Sequence, residues 1–181
     1  MLTMTKSGSA VDYELLEAMV EAGFQEITLP FEFVCQRVLN KYATGKLDLR
    51  KDPNSLIRAC KDLGLLIGGN YLYGYPDETY DELTETILVA QKHMDAGLDW
   101  ANLMIAVPFL ETVLYDDAIR GGHLMTDFDP DTMNWMYSTM RNTLIMPEVL
   151  SYVSKICWRL LNLQRRLASV ASKKLELTTL F

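Results

Sequence analysis

Asn70-Tyr71-Leu72-Tyr73-Gly74-Tyr75-Pro76-Asp77-Glu78-Thr79 is the stretch that decides how this chain folds. The apolar run over residues 65–72 empties into Gly-x-Pro-Asp-Glu-Thr, and a helical pattern starts at Tyr80. Such a sequence reads as a buried strand, a tight loop, and a helix whose first turn carries carboxylates behind a Thr cap. In βα-repeat proteins this kind of loop lies at the carboxyl end of the sheet, where small ligands bind.

The same grammar extends in both directions. A helical pattern over residues 11–22 stops at Gly23, and a strand is predicted over 26–31. A second helix spans about 34–42, and a third opens at Asp52-Pro53, a cap followed by proline in the first helical position, and stops at Gly64. After the strand at 65–73 come a helix over about 80–94, a stop at Gly97 and a third strand over 100–107. The stops are 41 and 33 residues apart, the length of a βαβ unit. Apolar strands alternating with helices predict a parallel sheet covered on both faces. Three strands are too few to close a barrel of eight, so the expected fold is α/β: a partial TIM-like (β/α) half-barrel of about three parallel strands. A helical tail is expected to follow, with a helix from a cap at 126–131 through about 144 and a longer one over 147–169. Residues 1–10 are expected to be disordered, 11–125 to form the partial barrel and 126–181 the helical extension.

Composition narrows the function. A net charge of −7 argues against a general nucleic-acid binder. Residues 151–181 carry +5 and the remainder −12, a basic segment read as the solvated face of a terminal helix. No apolar run reaches the roughly 18 residues of a membrane span, and the polar start lacks a signal-peptide plan, so a cytoplasmic location is expected with no membrane partner. Cys35, Cys60 and Cys157 form no CxxC pair and no metal-ligand spacing, and read as reduced thiols. Asp127, Asp129 and Asp131 imitate a calcium loop, but Thr132 and Ser138 stand where Gly and Glu are needed, which leaves a capping turn. No nucleophile elbow, phosphate loop or dinucleotide fingerprint is present.

The remaining candidates stand at the strand exits. Glu32 follows the first apolar run, where a carboxylate either accepts hydrogen bonds from ligand hydroxyl or ammonium groups or caps the following helix. Asn70 carries an amide into the presumed mouth, to meet a ligand or to bond a neighbouring strand. Gly74 permits close backbone approach. Pro76 and Glu78 read as architectural.

These residues together resemble a known family. The helix ending at Gly23, Glu32 with Gln36-Arg37-Val38-Leu39, Lys46, the segment 59–64, Gly74-Tyr75-Pro76-Asp77-Glu78-Thr79, and Pro108 with Thr112 and Leu114-Tyr115 are similar to the second half of a radical SAM domain. The likeness is to the class that carries a cobalamin-binding domain ahead of it, and it covers about residues 11–125. The resemblance implies a partial barrel that holds S-adenosylmethionine against a [4Fe–4S] cluster bound by a CxxxCxxC loop. It places Glu32 near the polar portion of S-adenosylmethionine, and Asn70 and Gly74 on the strand approaching its adenine and ribose. Cobalamin is implied by family analogy alone. The chain departs from the pattern at several points: CxxxCxxC is absent, Phe33-Val34-Cys35 replace Ser-Gly-Ser, and Leu110-Glu111 replace Pro-Gly in the third loop. The reading is therefore a fragment of a radical SAM enzyme that is inactive alone and binds no cluster, its partner the missing N-terminal half or a second copy at an open sheet edge. The alternative is a non-catalytic interaction module derived from a half-barrel.

Overall fold

The computed structural model describes residues 13–32, 35–42 and 53–163. The stretch 1–10, the intruding pair Phe33-Val34, Lys46 and everything beyond 163 lie outside the described residues. The elements run α1 (Tyr13–Glu21), β1 (Glu26–Glu32), α2 (Gln36–Tyr42), α3 (Pro53–Asp62), β2 (Leu66–Tyr73), α4 (Tyr80–Asp95), β3 (Trp100–Ile105), α5 (Val113–Arg120) and α6 (Pro147–Leu161). All three glycine stops adopt left-handed backbone, with φ of 88°, 75° and 112° at Gly23, Gly64 and Gly97. This is the conformation that ends a helix cheaply only at a residue without Cβ.

The strands pair in parallel in the order β1-β2-β3. Consecutive parallel strands joined by right-handed crossovers place their helices on one face, as in a singly wound barrel. Burial bears this out and corrects the expectation of a sheet covered on both sides. Ile27, Leu29, Phe31, Ile67, Tyr71, Tyr73, Ala101, Leu103 and Ile105 are buried. They share one core with Leu16 and Met19 of α1, Ile57 and Cys60 of α3, Leu83 and Met94 of α4, and Leu150 and Leu161 of α6. The alternate residues, Thr28, Pro30, Glu32, Asn70, Leu72, Trp100, Asn102 and Met104, are half-buried. The period of two is thus real although the sheet is wholly parallel.

The outer edge of β3 is closed by side chains rather than by a strand. Asn162 Nδ2 donates to the Ala101 carbonyl at 2.9 Å, and the Ala101 N–H donates to Asn162 Oδ1 at 3.2 Å. Ser154 Oγ donates to the Leu103 carbonyl at 3.1 Å, and the Ile105 N–H bonds the Trp135 carbonyl at 3.0 Å. Backbone groups that would otherwise recruit another strand are satisfied in place. The helix expected through residue 144 is absent. Apart from a 3-10 turn at Pro130–Thr132, this segment is irregular and makes an isolated antiparallel bridge between Leu124 and Met140. Asn134 Oδ1 accepts from the N–H groups of Met136 and Tyr137, and Asn142 Oδ1 from those of Leu144 and Ile145. Asparagine side chains thereby take the donors a helix would use.

In the loop after β3, Glu111 occupies left-handed backbone at φ 65°, the position where the resembled pattern has glycine. Glu111→Gly is therefore expected to stabilise the fold by about 0.5–1 kcal/mol, read from denaturant unfolding. Asn162→Ala, which strips the Ala101 N–H and carbonyl of their partners, is expected to cost about 2 kcal/mol in the same measurement.

Candidate cofactor-binding face and strand exits

The uncovered face of the sheet is built in rows by the register. Thr28, Gly68 and Trp100 form one row, Pro30, Asn70 and Asn102 the next, and Leu72 stands beside Met104 beyond it, while Glu32 pairs with Tyr71. A β-bulge shifts the β1 register between Pro30 and Glu32, and Glu32 sits at φ 49°. A bulge with a non-glycine residue in left-handed backbone re-aims one side chain at a local cost, a device found beside functional sites. Glu32 stays close enough to Tyr75 for its charge to help push the buried phenol up. Asn70 Oδ1 accepts a hydrogen bond from Asn102 Nδ2 at 3.0 Å across β2 and β3. The bond to a neighbouring strand is therefore made, and a second amide, Asn102, joins the face. Its signal was present in the sequence, since both asparagines interrupt apolar strands.

Gly74 opens the turn that leaves β2. Its φ of 86° demands glycine, and a Cβ there would meet Ile105 Cγ2 at 3.2 Å and Leu150 Cδ1 at 3.4 Å on the helix side of the sheet. The turn it opens is gripped from within. Glu78, 3% exposed, accepts the N–H groups of Gly74 and of Tyr75 on one carboxylate oxygen. Asn142 Nδ2 donates to the carbonyls of Tyr75 at 2.5 Å and Glu78 at 2.9 Å, and the Thr143 N–H bonds the Pro76 carbonyl at 2.8 Å. Thr79 and Glu82 form a reciprocal capping box at the start of α4.

Outside this turn an ion network ties three elements together. The Arg37 guanidinium of α2 straddles Glu82 with bonds of 2.9 and 2.7 Å and reaches Asp77 at 2.7 Å. That pairing holds the Glu82 carboxyl down at about 2. Lys41 bridges to Asp117 of α5 at 2.9 Å. A cavity of about 340 Å³ opens here, lined by Lys41, Tyr42, Asp77, Asp117, Arg120 and His123 among others. Its lining cations Lys41 and Arg120 are already paired with Asp117, and it lies apart from the polar sheet face. Below it, Val38, Leu39, Tyr75, Ala106, Leu114, Ala118 and Met140 form a second cluster that roofs the strand exits, with Leu72 packed against it.

The donor set does not suit an iron–sulfur cluster. Cys35 is half-buried and donates its thiol to Glu82 at 3.0 Å. Burial raises all three thiols, Cys60 to about 11. Among the described residues no group of three or more His, Cys, Asp or Glu side chains is placed to hold a metal ion. No described helix is long and apolar enough to cross a membrane.

Three parallel strands with the core on one face and polar residues on the other are the architecture, consistent with part of a half-barrel. No protein-family model matches the chain. It is 30% identical over 128 residues to an uncharacterized methyltransferase of Pyrococcus horikoshii, a match spanning 70% of this chain and 26% of that one. It is 29% identical over 127 residues to cytidylyl-2-hydroxyethylphosphonate methyltransferase of Streptomyces wedmorensis, spanning 65% and 23%. Bacteriochlorophyllide d C-8(2)-methyltransferase of Chlorobaculum tepidum is 24% identical over 142 residues, spanning 78% and 30%. The chain thus spans about a quarter of the length of the curated relatives it matches. Its fold superposes with a TM-score of 0.53 and 15% identity on a radical S-adenosylmethionine methyltransferase, TsrM, from Kitasatospora setae. That structure was solved with cobalamin and a [4Fe–4S] cluster bound, and the match covers 83% of this chain and 29% of that one.

Burial pushes the Glu78 carboxyl up to about 7, outweighing the two N–H bonds that favour its charge. With the native value above the unfolded one of 4.5, the folded state binds the extra proton between pH 4.5 and 7. This contribution is complete below pH 4.5 and disappears as pH rises through 7. It amounts to about 3 kcal/mol, at 1.36 kcal/mol per unit. Urea midpoints of the native chain are expected to fall across that window relative to those of Glu78→Gln, which cannot titrate.

Proposed function

We propose that this chain supplies part of the barrel wall of a radical SAM methyltransferase of the cobalamin-binding class. In this reading Glu32 and Asn70, with the turn at Gly74, belong to the site for S-adenosylmethionine. The observation that carries it is the singly wound sheet, β1-β2-β3 with its core on one side and a polar opposite face. The rows of a closed TIM barrel are filled with branched apolar side chains, whereas the middle row of this face holds two amides. The fold shared with TsrM and the sequence likeness to three methyltransferases support the same reading.

The chain's own residues have limited tasks. Glu32, re-aimed by the bulge, accepts hydrogen bonds from ammonium or hydroxyl groups, and Asn70 offers its amide N–H groups to the same space. The Glu78 grip and the Arg37 clamp keep the exit loop in one shape. The cluster that would reduce S-adenosylmethionine needs a cysteine loop absent from these 181 residues, so we expect no radical chemistry from this chain alone. The concave face is completed by the other half of the barrel, supplied in cis or by a partner. We assign no residue of this chain to cobalamin.

Isothermal titration with S-adenosylmethionine tests the proposal, on this chain alone and mixed with a cysteine-bearing N-terminal half. Heat is expected in the mixture and at most weak binding without it. Silence in both would refute the reading. Iron and sulfide analysis after anaerobic reconstitution of this chain is expected to find no stoichiometric cluster.

A further inference from the structure

The outward side of α6 is apolar and basic at once. Tyr152, Lys155, Arg159 and Leu163 recur at intervals of three and four residues, which puts them on one side of the helix. All four are exposed, Tyr152 to 65%, and Leu160 beside them to 63%. Tyr137 extends the patch, with Lys155 Nζ 4.6 Å from its ring centroid. Residues 151–163 contain these two cations and no acid. The opposite side of the helix is committed to the core through Leu150 and Leu161 and to the β3 edge through Ser154. A contiguous exposed surface of aromatic and leucine side chains marks a contact site.

Its counterpart stands at the other end of the sheet. α1 leads into β1, two strands away from the β3 edge that α6 covers. Residues 13–26 hold Glu14, Glu17, Glu21 and Glu26 and no Lys, Arg or His. Glu14 and Glu17 are three apart and Glu17 and Glu21 four apart, so like charges adjoin along one exposed stripe. Glu21 ends the helix at the negative pole of its dipole, in a last turn without a basic residue. Local helix physics disfavours this placement, and none of the described ion pairs involves these four carboxylates. Tyr13 and Phe24, each about half exposed, adjoin the acidic stripe. An apolar surface edged with carboxylates is complementary to an apolar surface edged with cations. With β2 and its helices α3 and α4 between them, the two faces meet only between molecules.

We propose that the Lys155–Arg159 face of α6 docks on the Glu17–Glu21 face of α1 in a second copy of this chain. The contact is head to tail. Each copy uses two different surfaces, which gives rings where the rotation closes and open arrays where it does not. Four half-exposed side chains offer roughly 400 Å², about half of what each partner buries in a standard interface, so the association is weak and reversible. It joins helices rather than strand edges, in keeping with the side-chain closure of the β3 edge. It lies on the helical side of the sheet, away from the polar face, and stands independently of the proposed function.

Sedimentation velocity of the whole chain over a range of concentrations tests the contact. The weight-average mass is expected to rise reversibly above that of the monomer. Lys155→Glu with Arg159→Glu, and separately Glu17→Lys with Glu21→Lys, should each weaken association about tenfold or more, because each sets like charges against one another. An equimolar mixture of the two double variants is expected to recover association, since the acidic α6 of one then meets the basic α1 of the other. Tyr152→Ser, which keeps every charge, should weaken the contact as well. Circular dichroism of each variant should match the parent, all of these positions being exposed. A chain that stays monomeric at every concentration overturns the inference. So does association that both charge reversals leave untouched, or that the mixture fails to recover. A monomeric chain that instead binds phosphatidylserine vesicles through Lys155 and Arg159, or contacts only the cysteine-bearing N-terminal half, overturns it equally.

Discussion

Right-handed crossovers between neighbouring parallel strands deliver each connecting helix to the same side of the sheet, and everything else in this molecule follows from that handedness. With order β1-β2-β3 there is no reversal of direction, so helices α1, α3, α4 and α6 accumulate over one core. The other face is left to face whatever completes the barrel. A doubly wound sheet would have buried Asn70 and Asn102 under helices, where amides that are not fully hydrogen-bonded are expensive. Their half-buried state is the consequence of one-sided winding.

The strand exits are held by polar interactions that reach across long separations in sequence. Glu78 binds the turn that precedes it, and Asn142, far along the chain, binds the same turn from outside. Arg37 from α2 meets Asp77 and Glu82 on the other flank. Several groups thus converge on the Gly-x-Pro-Asp-Glu-Thr loop, whose residues are mostly engaged in holding its own shape. The position of Glu78 in a buried site makes its charge the variable element of this arrangement. Glu82, paired with Arg37, is the fixed one.

The sheet also has two unlike edges. On β3 the side chains of Asn162 and Ser154 and the carbonyl of Trp135 take up outward-pointing backbone groups. On β1, Pro30 lacks an N–H, and the bulge beside it breaks the ladder near the exits. The segment after β3 thus terminates that edge, and the proline and bulge interrupt the hydrogen-bonding edge of β1. This gives the C-terminal helix α6 a structural place in the core as well as a length of sequence after it.

Local signals carried much of the architecture. Glycine stops at 23, 64 and 97, the cap at Thr79 and the proline at the head of α3 act within one turn of chain, so strands and helices fall close to where periodicity and capping place them. The loop at 74–79 was equally a local matter of residue type and spacing. Which face of the sheet is bare was not legible, because apolar runs such as residues 65–73 read alike whether one side or both is covered. The pairing of Asn70 with Asn102 depends on register between strands, and the grip of Asn142 on residues 75–78 depends on chain return over more than sixty positions. Such contacts exist only once the crossovers have set the strands side by side. For the same reason residues 133–146 refuse the helix their neighbours suggest: two asparagines find backbone donors that a turn, and not periodicity, brings within reach.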